Sequence, residues 1–289
     1  MTVISPIPKR VVIAAHPKIT EAITEGAAIC AYFKEHGLEA IQGTFDDASL
    51  RERVRDSEFD LMVAIGGDGT MLRASHLCAP AGLSILGINT GRLGFLIQVT
   101  QKDWHGALGK MLEGQYWIEN RMMLRAEHQR AGQTLGNWHA LNEAVVTRGP
   151  SIHPVRLAAS VDGRLLTNYV ADGLIAATPT GSTAYALAAG GPILPPELRN
   201  ILLVPIAPHL SVDRPLVLSE GTPVSITLRG GEAVLSVDGQ VPIDLAEGDA
   251  VEVRAGDYTA RFVRFGDPGY FYRNLTAHMN QNPSIGLPR

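Results

Sequence analysis

Cysteine is nearly missing from this chain: Cys30 and Cys78 are the only two among 289 residues. Two lone thiols cannot build a disulfide framework or a cysteine-based metal site, and they suit a reducing compartment. Excess charge of one sign is also missing. The formal net charge of -4 leaves no basic footprint, so nucleic acid is not an expected partner, while a small anionic ligand remains compatible with a local basic pocket. Long apolar runs are absent too. Residues 11–15 are shorter than a signal-peptide core and run at once into His16-Pro17, so they read as a first strand. The longest uncharged span, residues 173–196, is interrupted by Gly, Pro, Ser and Thr and does not have the continuous apolar length that a bilayer crossing requires. A cytoplasmic protein with no membrane partner is expected. No Gly-Lys-Ser/Thr occurs, which excludes a P-loop, and no run of carboxylates and histidines has the spacing of a metal cage, so no protein metal ligand is named.

What is present describes an ordinary globular chain, 45% hydrophobic and 19% charged, long enough for two modest domains. Strand-like runs at residues 11–15, 59–65 and 84–88 alternate with helix-like runs at 20–36 and 70–79, the order of a parallel sheet flanked by helices. A further helix is expected at 102–113. Beyond it the pattern shifts to short alternating runs punctuated by Asp162-Gly163, Asp172-Gly173, Gly230-Gly231, Asp238-Gly239 and Glu247-Gly248, which suits hairpins and a sandwich of sheets. The expected organisation is an α/β plus all-β chain: a Rossmann-like α/β domain over residues 1–97, a β-sandwich over 98–267, and a tail, 268–289, that packs back on the first domain. One helix is embedded among the strands, an alanine-rich stretch in the block 178–192, capped by Ser or Thr and stopped by Gly190-Gly191-Pro192.

The chemistry concentrates in a few turns. An apolar strand runs into Gly66-Gly67-Asp68-Gly69-Thr70 and opens a helix. Glycines let main-chain N–H groups approach a ligand, and the helix start adds unpaired donors, so Gly66, Gly67 and Thr70 form a phosphate-handling region around one carboxylate. Asp68 reads equally well as a helix cap and as a base. Asn89-Thr90-Gly91 follows the next strand and ends at the same side of the sheet, where ligands of such folds bind. Asn142-Glu143 precedes the strand-like Ala144-Val145-Val146 and offers a carboxylate for a sugar diol beside an amide. Asp172 and the donors Ser182 and Thr183 bracket another turn. His153 and His209, each beside a proline, read in isolation as surface or structural residues, and Arg121, Arg125 and Arg130 as strand faces turned to solvent.

Taken in order, Gly66-Gly67-Asp68-Gly69-Thr70, Asn89 through Leu96, Asn142-Glu143, Asp172-Gly173-Leu174-Ile175 with the block 178–192, and Val237-Asp238-Gly239-Gln240 resemble the motifs of bacterial NAD kinases. The resemblance spans most of the chain. The glycine turn alone is shared with diacylglycerol, sphingosine and phosphofructokinase relatives, whereas Thr178-Pro179-Thr180-Gly181-Ser182-Thr183-Ala184-Tyr185 looks like NAD kinase specifically.

The resemblance implies transfer of the γ-phosphate of ATP, or a phosphate of polyphosphate, to the 2′-hydroxyl of the adenosine ribose of NAD, with a divalent metal, usually Mg²⁺, and a homodimer or homotetramer. It implies that Asp68 is the catalytic base, that Gly69 and Arg73 line the site, that Phe95 lies near the adenine, and that Asn142 and Glu143 hold NAD hydroxyls. By the same resemblance His153, Asp172, Thr183, Ala184, Tyr185, Ala186, Leu187, Ala188 and Gln240 match positions that contact NAD, and His209 a position near the reacting phosphate. The loop Pro208-His209-Leu210-Ser211-Val212-Asp213-Arg214-Pro215 departs from the family pattern around that histidine. Val170 stands where many strictly NAD-dependent members carry arginine, which opens acceptance of NADH. A lipid kinase of the diacylglycerol type and a non-catalytic NAD(P)-binding regulator are the competing readings.

Overall fold

The computed structural model describes residues 5–91, 94–209 and 212–280; Arg92 and Leu93 of the second glycine-bearing turn, Leu210 and Ser211 of the His209 loop, and tail residues 281–289 lie outside them. The chain divides into two compact units, Met1–Asn120 with Ala260–Arg289, and Arg121–Thr259.

The first unit is built on β1 (Arg10–Ala15), α1 (Thr20–Glu35), β2 (Glu39–Thr44), α2 (Ala48–Arg55), β3 (Leu61–Gly66), α3 (Asp68–Cys78), β4 (Ser84–Asn89), the short β5 (Val99–Thr100) and α4 (Trp104–Leu112). The strands are parallel in the order β2-β1-β3-β4. β3 is buried along its whole length, as a central parallel strand covered on both faces must be. α1 turns Ala22, Gly26, Ile29, Cys30 and Phe33 inward at helical spacing, and Gly37, at φ 80°, takes the chain out of it. The segment holding β2 and α2 carries little apolar periodicity, and neither element was expected from the sequence. α2 is fixed instead by its cap, with the Asp47 carboxylate accepting from the Leu50 N–H at 3.2 Å. The chain moves outward from β1 to β2 and then crosses back to β3, so the sheet reverses direction between β1 and β3, and the glycine turn leaves β3 at that switch point.

The second unit comprises most of β6 (Trp117–Arg130), then β7 (Gln133–Ala140), β8 (Glu143–Arg148), β9 (Val155–Val161), β10 (Arg164–Ala171), β11 (Gly173–Ala177), the one-turn α5 (Tyr185–Ala188), β12 (Asn200–Ile206), β13 (Leu216–Ser219), β14 (Val224–Gly230), β15 (Ala233–Val237), β16 (Ile243–Leu245) and the first part of β17 (Ala250–Arg264). One antiparallel sheet runs β13-β12-β11-β8-β15-β16, and β10-β9-β14-β17 run antiparallel in the other. Leu124, Leu157, Ile226 and Val253 from one side and Val146, Leu174, Leu203 and Leu235 from the other share a single buried core, which makes this unit a β-sandwich. The end of β17 lies in the first unit, where Arg261 and Phe262 pair with Ser84 and Ile85 of β4. α6 (Tyr270–Asn280) also belongs to that unit, with the Phe271 ring 6.4 Å from that of Phe95.

Two expectations need correction. The alanine-rich stretch is not one helix: a 3₁₀ turn at Gly181–Thr183 is broken at Ala184 (φ −98°, ψ −127°) before the single turn of α5. Nor do the three arginines of β6 simply face solvent. Arg121 is 4% exposed, Arg125 lies 2.6 Å from Glu127 and 3.2 Å from Asp257, and Arg130 forms two bonds to Asp249. Helical and strand periods predict which way a side chain points but not which carboxylate waits on the neighbouring strand.

Asp249 is buried and accepts from Arg130 at 2.7 and 2.8 Å, His128 at 2.7 Å and the Ala246 N–H at 2.8 Å. Arg130 above all holds this carboxyl well below the usual range. Its stabilisation is therefore complete above the unfolded-state value and is lost as the pH falls through the lower folded-state value. Asp249→Ala should destabilise the fold by about 3 kcal/mol in urea denaturation at neutral pH, and the deficit should shrink in strong acid.

Candidate active site

In the first unit the site is the turn from β3 into α3. Gly67 precedes the first helical turn in extended backbone, so Asp68 is the first helical residue and not the cap. Its carboxylate reaches across to the loop after β4, where Oδ2 accepts from the Phe95 N–H at 2.9 Å and Oδ1 from the Leu96 N–H at 3.3 Å. Two glycines are demanded by sterics. A Cβ on Gly94 would lie 2.1 Å from Asp68 Oδ2, and one on Gly66 would lie 2.2 Å from Thr70 Oγ1. Gly67 and Gly69 differ: among the described residues a Cβ there would meet nothing within 4 Å, so none of them requires glycine at either position. Thr70 is buried beneath the turn. Arg73 is tied to the loop after β2, with Nη2 2.5 Å from Asp46 Oδ1 and its guanidinium 5.7 Å from the Phe45 ring. On the loop after β4, the Gly91 N–H bonds to Asn89 Oδ1 at 3.0 Å.

In the second unit the expected residues fall into two groups at opposite ends of β11. At its C-terminal end the turn from β7 to β8 presents Asn142 and Glu143. That turn is held by Asp238, whose carboxylate accepts from the Leu141, Asn142 and Glu143 N–H groups at 2.7, 2.9 and 3.0 Å. Asp238 and Gly239 both have positive φ, 47° and 68°, the geometry of a tight hairpin turn, and this turn carries Gln240. Thr178 Oγ1 donates to Leu141 O at 2.5 Å and accepts from the Gly181 N–H at 3.0 Å, while a Cβ on Gly181 would sit 2.2 Å from Asn142 O. The segment thereby closes tightly over the Asn142 turn. Ser182 is fully buried and bonded to Pro179 O and the Leu194 N–H, so it serves the fold; Thr183 Oγ1 bonds to Thr180 O at 3.2 Å. Ala186 is part of the core, and Tyr185 is exposed.

Glu143 is the electrostatic anomaly of this group. It is 7% exposed, and its Oε2 has no hydrogen-bond partner. Burial, and after it the charge of Asp238, pushes its carboxyl up to about 8 against the pull of the Tyr185 N–H. The shift favours the neutral acid over the plain carboxylate that the sequence suggests.

The remaining residues gather at the other end of the five-residue β11, about 15 Å away at the rise of an extended strand. There Arg148 lies 3.2 Å from Asp172, the His209 N–H donates to Val170 O at 2.7 Å, and Arg148 bonds to Ser151 O beside the exposed His153. Asp238 and Thr178 were overlooked as site builders. An Asp-Gly pair is ordinary in a hairpin, and nothing in the sequence tells that its carboxylate reaches residues 95 to 97 positions away.

Residues 17–116 match the ATP-NAD kinase N-terminal domain, and residues 141–265 match the ATP-NAD kinase C-terminal domain. The chain belongs to the NAD kinase family. The NAD kinase of Heliobacterium modesticaldum is 44% identical over 234 residues, covering 80% of this chain and 82% of the relative. Yeast NADH kinase complexed with NADH superposes with a TM-score of 0.83 at 26% identity, covering 98% of this chain and 91% of that one. An NAD kinase from Archaeoglobus fulgidus in complex with ATP gives 0.74 at 27% identity, covering 93% and 98%. The NAD kinase fold, an α/β N-terminal part with a mostly-β C-terminal part, is the fold of this chain.

The architecture of the Asn142 turn carries its own test. Thr178→Val strands the Leu141 carbonyl and the Gly181 N–H in a buried place, and should cost about 2 kcal/mol in urea denaturation.

Proposed function

We propose that this chain is an NAD kinase that transfers the γ-phosphoryl group of ATP, or a phosphoryl group of polyphosphate, to the 2′-hydroxyl of the adenosine ribose of NAD, giving NADP. The observation that carries the reading is the Asp68 carboxylate, placed at the first turn of α3 between Gly67 and Gly69, where no described residue would crowd a side chain, and oriented by the Phe95 and Leu96 amides. A secondary alcohol is a poor nucleophile, and Asp68 takes its proton as the bond to phosphorus forms. The bare main chain at Gly66, Gly67 and Gly69 with Thr70 faces the donor phosphates, and the start of α3 adds donors of the right polarity. Arg73 stands on the same helix and brings a cation, shared with Asp46.

NAD is held through Asn142, Glu143, Thr183 to Ala188 and Gln240, with Phe95 offering an apolar face to the adenine. Ala186, being wholly buried, contributes through backbone and shape. ATP as donor is supported by the archaeal relative, and use of NADH by the yeast one. Val170 leaves the position two residues before Asp172 uncharged, consistent with tolerance of either redox state. His153, Asp172 and His209 belong to the remote end of β11. We assign a homodimer or homotetramer, in which the remote group of one copy can serve a ligand held by another. A cytoplasmic location is proposed as well; among the described residues no helix is long and apolar enough to cross a membrane.

Among the described residues no cluster of three His, Cys, Asp or Glu side chains could hold a metal ion. A divalent ion such as Mg²⁺, if the reaction uses one, would come with the donor phosphates and would supply charge neutralisation there. The lipid-kinase and regulator readings draw no support from the relatives, which are named NAD kinases.

Purified protein with Mg-ATP and NAD should form NADP. Asp68→Asn should lower kcat by about 10²–10⁴ while NAD still binds. Turnover within a few-fold of the parent would sink the role of Asp68 as base.

A further inference from the structure

Two carboxyl groups lie close enough in the second unit for one to act on the other, and their surroundings are unequal. Asp238 accepts three main-chain N–H bonds, from Leu141, Asn142 and Glu143, all within 3.0 Å. Glu143 receives one, from the Tyr185 N–H, and its Oε2 is buried without a partner. When two carboxyls share a site, a proton settles on the one with fewer donors, because N–H donors favour the ionised form of the other. A protonated carboxyl has an O–H to give, whereas an ionised one only accepts. β11 places Ala177 opposite Glu143 and β15 places Val237 opposite the next residue, and among the described residues the charge that bears on Glu143 is that of Asp238.

We propose that Asp238 is a positioning residue of the NAD site, fixing the Asn142–Glu143 turn by its main-chain bonds and making Glu143 meet NAD as a hydrogen-bond donor rather than as an anion. The inference rests on the NAD kinase reading and deepens it. It adds to what Glu143 recognises: its O–H meets an acceptor on the ligand, such as a ribose oxygen, while its other oxygen still accepts from a hydroxyl.

The test is calorimetric titration of the intact protein with NAD, without a phosphoryl donor, from about pH 6.5 to pH 9.5. Affinity should be constant at the acid end and then fall toward tenfold per pH unit once Glu143 ionises. Glu143→Gln, which cannot ionise, should abolish that fall. Asp238→Asn removes the opposing charge, so the fall should begin at lower pH than in the parent, a displacement that mere loosening of the turn does not produce. Affinity that is flat or rises with pH in the parent overturns the proposal, as does a fall that persists in Glu143→Gln. Absence of NAD binding at every pH would instead overturn the NAD kinase reading on which it rests.

Discussion

The bond between the Asp68 carboxylate and the main-chain amides of Phe95 and Leu96 is the constraint on which the catalytic reading depends. A carboxylate on a flexible stem loses much of its value as a base if it samples many rotamers, since proton transfer demands a held geometry. Here the first residue of α3 is tied to the loop leaving β4, so two adjacent parallel strands of one sheet fix the reacting group between them. The tie requires that residue 94 have no side chain, because any Cβ there would occupy the carboxylate's place. Glycine at 94 is thus explained by Asp68, whereas at 67 and 69 no described residue comes close enough to require glycine.

The second unit repeats the device with a different purpose. Asp238 anchors the Asn142 turn on three N–H groups, and Asp249 anchors β6 through Arg130 and His128. In each case a carboxylate from one hairpin or loop satisfies donors that the sheets leave over, which keeps buried polar groups paired. Among these carboxylates Glu143 is the exception. Its unpartnered oxygen and neutral form are costs in the folded chain, and such costs collect at places where a ligand supplies the missing bond.

Much of this was legible in the sequence. The apolar runs of β1, β3 and β4 announce a parallel sheet, the Gly-Gly-Asp-Gly-Thr turn announces a ligand loop at its C-terminal edge, and the Asp-Gly pairs announce hairpins, because each signal is local and tied to backbone period or turn geometry. β2 and α2 escaped because their placement comes from pairing with β1 and from the Asp47 cap rather than from apolar period. The capping role left open for Asp68 gave way to the Phe95 and Leu96 bonds, and the solvent-facing role expected for Arg121 gave way to burial, both set by residues far away in sequence. The same holds for the division of the residues expected to contact NAD between the two ends of β11: sequence motifs name candidates for a site but not the distance along a strand.

The most direct test of the account is the turnover of Gly94→Ala, measured as NADP formed from NAD and Mg-ATP alongside NAD affinity and thermal stability. If Asp68 acts as base only while the two amides hold it, the added methyl should cut kcat by roughly 10²-fold with NAD binding and the fold retained, since displacement of a reacting group by about an ångström costs that much. A Gly94→Ala enzyme that folds, binds NAD and turns over at the parent's rate would contradict it.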